Sequence, residues 1–391
     1  MNFIKRKFVN ITSGALFSSI TVLATVVVGA YISLYSSKII TQFDTICLPI
    51  TNPCDKDYPE ISVAIISIAI LSMILLVREL SVASANNSAR NKLQEIIKST
   101  PSKSFLEDYT KFMRLVGTFR LQIKENVNSI NPDSEKTHEC IRGCLHGILS
   151  LAKQWDGNEG RSSIYRANIM TMVPSEYLDP VTISDGSLKK VVDIIDNGKL
   201  FLYNTSILTK VRKCSGILML EDSSLTVSTN VAFSNIDDSI KSPICFPYID
   251  QSFSGVQSQP IIPGAPACAS FGTSQYLTDT KEAINDFIKS TQHKNKEYCN
   301  RFKMDINEYY NSMDEAQSIL SIPIQYKKKE DEQEKNKPAQ HETIAVLNIY
   351  RNRTGIFRDI ESAMSFAQLM EPICYHFAKM LISLADIEQE T

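Results

Sequence analysis

Two long apolar stretches without charge stand near the start of the chain. One runs from Ser13 to Ser37 and the other from Ile61 to Val77. Both are long enough for the roughly 17 to 25 residues that a helix needs to cross a bilayer. Their uninterrupted length argues against a hairpin in a soluble core. The pattern predicts transmembrane helices at 14–36 and 61–78.

Charges on either side of these stretches predict how they are oriented. Basic residues precede the first stretch at 5–7 and follow the second at Arg78, Arg90, Lys92 and Lys98. The positive-inside rule then places 1–13 and everything after 78 in the cytoplasm, with 37–60 outside. We therefore expect a protein of the cell inner or plasma membrane with two spans. A secretory signal is the alternative, but the run is too long and lacks a cleavage site.

Small and hydroxylated residues form a stripe along the first predicted span. Thr21, Thr25, Gly29 and Ser33 recur every four residues and so share one helix face. In lipid such faces allow helices to approach closely. Two interpretations stay open: packing between the two helices of one hairpin, or a homo-oligomer, with or without a pore. No Asp, Glu, Lys, Arg or His lies inside either uncharged stretch, so no charged transport site is predicted.

The predicted extracytoplasmic loop contains Cys47 and Cys54. An oxidising exterior would allow them to form a disulfide. Two free thiols in a short turn are an equal alternative. The other cysteines follow the second span and are expected to be small buried residues.

The remaining chain shows helical periodicity first and a mixed pattern later. Apolar steps of three and four residues predict a helical linker over 79–131. The region 132–391 combines predicted helices and strands without regular alternation, which favours an α+β fold with an antiparallel sheet. Its predicted helices are 139–155, 281–313 and 360–387, and its predicted strands are 166–172, 200–207, 216–220, 244–249, 319–324 and 343–350.

Several segments of this region resemble GAF domains. SILSIPI, a polar loop, TIAVLNIYRNRTGIF and a closing helix are similar to the C-terminal half of the family, and a helix leading into YRANIMTMV is similar to its start. IIPGAPACASFGTSQYLTDT is similar to the segment that closes the ligand side. The resemblance covers about 139–386, with expansions at 223–255 and 281–313. It implies a GAF-like antiparallel sheet that binds a small ligand, with a nucleotide as the expected class.

The same segments supply candidate ligand-binding residues. Gly264 and Ala267 lie in a loop of small residues that lets a planar ligand approach the backbone. Asp279, followed by Thr280, offers acceptors for a base edge or ribose, while Arg166 and Asn168 begin the facing strand. A helix cap is the alternative role for Asp279, and a solvated strand position is the alternative for Arg166.

Composition and motifs narrow the function further. Lys and Arg number 41 against 43 Asp and Glu, and this balance supplies no positive field for direct nucleic-acid binding. No P-loop, nucleophile elbow, HExxH or kinase signature occurs, so we expect neither an enzyme nor catalytic residues nor a cofactor. His138 and His146 are rotated away from the helix face that Cys140 and Cys144 share, and no metal site is predicted there.

Two functions of different classes fit these predictions. One is a signal-transducing sensor whose ligand acts on the membrane hairpin as output; this resembles, in architecture only, anti-phage effectors that couple two transmembrane helices to a nucleotide sensor. The other is a membrane-tethered scaffold that recruits a protein partner without a small ligand. An enzyme with an unfamiliar site is the third possibility.

Overall fold

A computed structural model of the chain describes residues 15–44, 59–99, 102–157, 163–178, 188–232, 236–237, 242–250, 259–327 and 341–390. The chain divides into two compact units, Met1–Thr100 and Pro101–Thr391. In the described residues, the first unit is helical and the second is mixed α+β. Cys47 and Cys54 lie outside the described residues, and their disulfide stays a prediction.

The first unit contains the two apolar helices that the sequence predicts. Helix α1 spans Ala15–Leu34, α2 spans Ser36–Asp44 and α3 spans Pro59–Ser99. Helices α1 and α3 pack against each other. Phe17–Leu34 and Pro59–Ser84 are long and apolar enough to cross a membrane, and only 6% and 11% of these windows are buried. Such a large exposed apolar surface suits lipid better than water.

Polar contacts bracket the apolar part of this hairpin. At one end the Glu60 carboxylate lies 3.6 Å from the Lys38 ammonium and accepts a hydrogen bond from Gln42. At the other end Arg78 donates to the Ser18 hydroxyl at 3.0 Å. The helical rise between Glu60 and Arg78 amounts to roughly 27 Å, close to the ~30 Å hydrocarbon core of a bilayer. The hairpin therefore has its polar contacts where headgroups would meet them.

The second unit combines eight helices with seven strands in its described residues. The helices are α4 Lys103–Val127, α5 Ser134–Asp156, α6 Lys189–Asn197, α7 Ile207–Arg212, α8 Ala265–Phe271, α9 Thr280–Ser290, α10 Lys296–Asn311 and α11 Ile360–Glu390. The strands are β1 Tyr165–Pro174, β2 Gly216–Leu220, β3 Thr226–Ser228, β4 Ile244–Tyr248, β5 Gln275–Leu277, β6 Ser318–Lys327 and β7 His341–Arg351. A short 3-10 turn, Ser175–Tyr177, follows β1.

These strands form one curled antiparallel sheet in the order β4-β2-β1-β7-β6-β5, and β3 pairs with β1 beside β2. Alternate residues of the strands point to opposite faces. The first face packs against α4, α5 and α11, with α6 and α7 covering it near β2 and β4. The second face packs against α8, α9 and α10. The predicted α+β class is thus confirmed as a layered fold with both sheet faces covered.

The region predicted as a linker over 79–131 contains two different helices. Its first part continues α3, and its second part is α4, which belongs to the second unit. Helix α4 begins at the cap of Ser102, whose hydroxyl accepts from the Phe105 amide at 3.1 Å. A Cβ at Gly147 of α5 would lie 2.1 Å from the Phe112 ring. Glycine therefore lets the α4 aromatic ring pack directly on the α5 backbone.

Two other sequence predictions differ from the structure. The apolar run Leu200–Tyr203 is a buried turn instead of a strand, although its side chains still divide between two core clusters. The Leu202 amide donates to Gln259 at 2.7 Å in place of a strand partner. The long helix predicted over 281–313 is two helices, because Asn295 caps a new start by accepting from two amides.

Candidate functional site

A polar row crosses the centre of the second sheet face. Asn168 of β1 pairs with Asn348 of β7, which pairs with Ser321 of β6, and Asn168 pairs on its other side with Thr226 of β3. We call these four residues the polar floor. All are buried, with exposed fractions of 8% or less. A sheet covered on both faces normally carries apolar residues there, so packing does not explain this row.

Hydrogen bonds join the members of the polar floor. Asn348 Nδ2 donates to Asn168 Oδ1 at 2.9 Å, and Ser321 Oγ donates to Asn348 Oδ1 at 2.7 Å. Asn168 Nδ2 donates to the Tyr350 hydroxyl at 3.4 Å. Each side-chain amide has two N–H donors and an oxygen that accepts twice. The two asparagines therefore keep donors and acceptors that these bonds do not use.

A second buried polar group adjoins the floor. Arg166 Nε donates to Asp237 Oδ2 at 3.1 Å, and both side chains are buried. The hydroxyls of Thr226 and Ser228 lie beside this pair along β3, each in a fully buried residue. Neither hydroxyl has a hydrogen-bond partner among the described residues. An unsatisfied buried hydroxyl costs about 1 to 3 kcal/mol, which marks this part of the sheet as unusual for a core.

A small cavity lies above the floor, and we call it the inner chamber. Its volume is about 60 Å³. Asn168, Asn348 and Tyr350 supply its polar base. The rest of the lining is mostly apolar: Met170, Leu220, Ile244, Phe246, Pro263, Gly264, Ala265, Pro266, Tyr309, Tyr310, Met313, Ala316 and Ile319. This combination of apolar walls and a few convergent polar groups is typical of small-molecule sites.

Three tyrosines contribute phenol groups to the chamber. Burial raises the pKa of Tyr309, Tyr310 and Tyr350 above the usual range of tyrosine. The low polarity around the rings disfavours phenolate, so all three keep their protons at neutral pH. They can therefore donate hydrogen bonds and present aromatic surface, but they are poorly suited to act as bases.

A wider depression, the outer cleft, lies next to the inner chamber. Its volume is about 300 Å³. The two spaces share Ile244 and Tyr309 in their linings. The outer cleft carries the carboxyls of Asp305 and Glu308 and the ammonium of Lys199. Burial raises the pKa of Asp305, whose carboxylate is 3.9 Å from Arg301.

The structure brings together some of the residues predicted to bind a ligand. Asn168 and Gly264 both line the inner chamber, and Gly264 has a φ of 87° that favours glycine. Arg166 lies one row away, in its ion pair with Asp237. Ala267 is buried within α8 and does not line the chamber.

Asp279 and Thr280 lie at the start of α9, outside the linings of both spaces. Asp279 Oδ1 accepts from the Glu282 amide at 3.0 Å as an N-cap. The Thr280 amide donates to the Gln317 carbonyl at 2.9 Å. Helix capping thus accounts for the position of Asp279.

The small-residue stripe of α1 lies partly inside and partly outside the single hairpin. Thr21 is buried and donates to the Phe17 carbonyl at 2.8 Å, while Thr25 donates to the Thr21 carbonyl at 2.9 Å. Thr25, Gly29 and Ser33 are exposed in the single chain. A Cβ placed at Gly29 would meet no atom within 4 Å.

Asn348 and Ser321 belong to the site but were missed by sequence reasoning. Both interrupt runs that otherwise read as buried strands, in TIAVLNIY and SILSIPI. A polar residue at an inward position of a central strand is a usable signal for a site. Recognising it requires the face and register of both strands, which the apolar runs alone do not define.

Metal ligands are not grouped in the described part of the chain. No cluster of three or more His, Cys, Asp or Glu side chains occurs there that could hold a metal ion. Cys140 and Cys144 are buried in the core on α5, and His138 instead lies near Ser134 and Glu388. Burial raises the pKa of Cys214, Cys245 and Cys374 to about 12, which keeps these thiols protonated.

No protein-family model, curated protein or solved structure matches this chain.

Proposed function

We propose that the protein is a membrane-anchored sensor that binds a small ligand in its cytoplasmic unit and uses the transmembrane hairpin as its output. The observation that carries this proposal is the polar floor beneath the inner chamber. Buried asparagines with unused hydrogen-bonding groups, facing a partly apolar cavity, are costly for folding and suited to recognition.

The order of the elements supports a GAF-like character for this unit. Helix α5 leads directly into β1, and the adjacent strands β6 and β7 are followed by α11. This is the order that the resemblance implies. Gly264, from the segment expected to close the ligand side, lies in the chamber wall. These features support the GAF-like assignment as part of the proposal.

The hairpin supports the membrane half of the proposal. Its apolar faces are exposed over about the thickness of a bilayer, between two sets of polar contacts. Signalling requires that the ligand bind two states of the protein with different affinity. Membrane disruption in antiviral defence is one output that such a hairpin can provide.

A scaffold without a ligand is the second candidate, and the small chamber favours it. A volume of about 60 Å³ holds a few waters but not a six-membered ring, which needs roughly 150 Å³. In a scaffold the polar floor would belong to a vestigial pocket that no longer binds a ligand. The function would then be to recruit a protein partner to the membrane.

A thermal-shift screen of the full chain in detergent separates the two candidates. The sensor proposal predicts that at least one compound in a panel of nucleobases, nucleosides, nucleotides and metabolites raises the melting temperature. A ligand at a hundred times its Kd stabilises the native state by about 2.7 kcal/mol. Asn348→Leu should abolish the shift because it removes the central member of the polar floor.

The matched control is Asn126→Leu. Asn126 is also a buried asparagine, and it bonds to Asp133 and Thr137 away from the sheet. This variant should melt at a lower temperature yet keep the full ligand shift. If no compound shifts the wild-type protein, the scaffold is favoured. If Asn348→Leu keeps the shift, the ligand binds away from the polar floor and the site proposed here is wrong.

A further inference from the structure

We propose, resting on the sensor function above, that the inner chamber and the outer cleft form one site for a flat, uncharged heterocycle of the nucleobase or nucleoside class, with the Tyr309 side chain as a movable divider. The proposal narrows the expected ligand class from nucleotides to the uncharged base or nucleoside, since the described linings carry no excess positive charge to hold a phosphate. It follows from the sizes of the two spaces, the contacts of Tyr309, and the charges along the site.

The first step concerns size. A six-membered ring needs a cavity of roughly 150 Å³, which the inner chamber does not offer at about 60 Å³. The outer cleft, at about 300 Å³, reaches the lower end of the range for small-ligand sites. Tyr309 and Ile244 line both spaces. Displacement of the Tyr309 ring would therefore give a ligand in the cleft access to the polar floor.

The second step concerns the contacts that hold Tyr309. Its ring makes edge contacts with Phe246 and Tyr310, at centroid distances of 5.6 Å and 4.9 Å. Its hydroxyl has no hydrogen bond to another described residue. Rotation of the ring out of the passage therefore breaks two aromatic contacts and no such hydrogen bond.

The third step concerns the inner end of the site. Asn168 and Asn348 present amide donors and acceptors at the chamber base. Paired donors and acceptors of this kind match the hydrogen-bonding edge of a nucleobase. No lysine or arginine occurs in the described lining of the inner chamber. Arg166, on the next row, is already paired with Asp237.

The fourth step concerns the outer end. Asp305 and Glu308 lie along α10 in the cleft, and Lys199 is the single ammonium among the described lining residues. Arg301 lies 3.9 Å from the Asp305 carboxylate. These two cations balance the two carboxyls, so the cleft has no excess positive charge to attract a phosphate. A ribose needs no such charge, and its hydroxyls can donate to carboxylates.

The test uses the full chain in detergent and measures Kd from the dependence of the melting temperature on ligand concentration. The probes are adenosine, guanosine, cytidine and uridine, each beside its 5′-monophosphate. At least one nucleoside should bind, and its monophosphate should bind no more tightly, because the cleft has no excess positive charge for the phosphate. Tyr309→Ala should bind that nucleoside at least as tightly, because the divider is gone.

Two charge-reversal variants check whether charge in the cleft sets this result. Glu308→Lys adds a positive charge to the cleft, so the monophosphate should then bind about tenfold more tightly than its nucleoside. Glu297→Lys, in the first turn of the same helix and outside both linings, should leave the ratio of the two affinities as in the wild type.

The outcomes separate this inference from the sensor function. If a monophosphate binds more tightly than its nucleoside in the wild type, or if another compound of the panel binds while all nucleosides fail, the ligand class proposed here is wrong and the sensor function stands. If no compound of the panel binds, the sensor function fails with it. Loss of nucleoside binding in Tyr309→Ala would show that Tyr309 is a fixed wall instead of a divider.

Discussion

Replacing Asp156 by asparagine should lower the free energy of unfolding of the second unit by about 3 to 5 kcal/mol. Asp156 ends α5 and is 3% exposed. Its Oδ2 accepts from the Tyr165 hydroxyl and from Arg351 Nη1, and its Oδ1 accepts from the Phe357 amide at 2.8 Å. This carboxylate thus joins α5, β1, β7 and the segment that follows β7.

The large effect follows from the charge that the substitution leaves behind. Arg351 is 6% exposed, so loss of the carboxylate leaves its guanidinium buried without an opposite charge. Arg351 also donates to the Thr354 carbonyl at 2.6 Å. The same segment contains Phe357 at a φ of 61°, an uncommon conformation for a residue other than glycine. The surrounding contacts, including the one from Asp156, are what hold it.

Urea or thermal unfolding of the purified chain measures this change, and the melting temperature should fall by roughly 10 °C. Asp286→Asn is the matched control, because Asp286 pairs with Lys289 on the surface and both side chains are at least 70% exposed. That control should change the free energy by less than about 0.5 kcal/mol. A loss of under about 1 kcal/mol in Asp156→Asn would contradict the assigned role of this cluster.

Replacing Gly29 by leucine should abolish oligomer formation by the full chain, if the stripe on α1 is an interface between copies. It should also abolish the membrane depolarisation that the full chain causes. Leucine fits the single hairpin, since no atom lies within 4 Å of the added Cβ. It also favours a helix over glycine by up to about 1 kcal/mol. Between copies the larger side chain would prevent the close approach that small residues permit. The loss should therefore be specific to assembly.

Crosslinking in lipid vesicles measures the oligomer, and a potential-sensitive dye in expressing cells measures depolarisation. Val27→Leu is the control, because Val27 is 60% exposed and lies on another face of α1. It should oligomerise and depolarise like the wild type. Persistence of oligomers and depolarisation in Gly29→Leu would remove the stripe from the mechanism.

Apolar patterns of five or more residues predicted most elements, and shorter patterns did not. Strand β2 lies where the buried run predicts it, at 216–220, and the two apolar helices follow from the length and apolar composition of their stretches. Strands β3 and β5 have three residues each, too few for a period to be visible. The run at 200–203 shows that buried apolar residues can also form a turn, in which a side chain accepts from the backbone amide of Leu202.

The candidate site shows the same limit more sharply. Asn168 and Gly264 were predicted from local sequence and meet at one chamber. Asn348 and Tyr309 come from distant segments, and only the pairing of β1 with β7 and the packing of α10 bring them there. Asp279 illustrates the opposite case, because an acidic residue before a helix satisfies the cap whether or not a ligand is near. Tertiary contacts, which one sequence does not display, decide both cases.

The most direct test of the central claim is the location of the C-terminus relative to the membrane. Green fluorescent protein and alkaline phosphatase are each fused after the last residue, and the phosphatase is also placed in the 37–60 loop. If α1 and α3 cross the bilayer and leave the second unit inside, the fluorescent fusion is bright and sediments with membranes. The phosphatase is then active only in the loop. An active phosphatase at the C-terminus, or a fluorescent fusion that stays in the supernatant without detergent, would contradict the membrane anchoring and orientation.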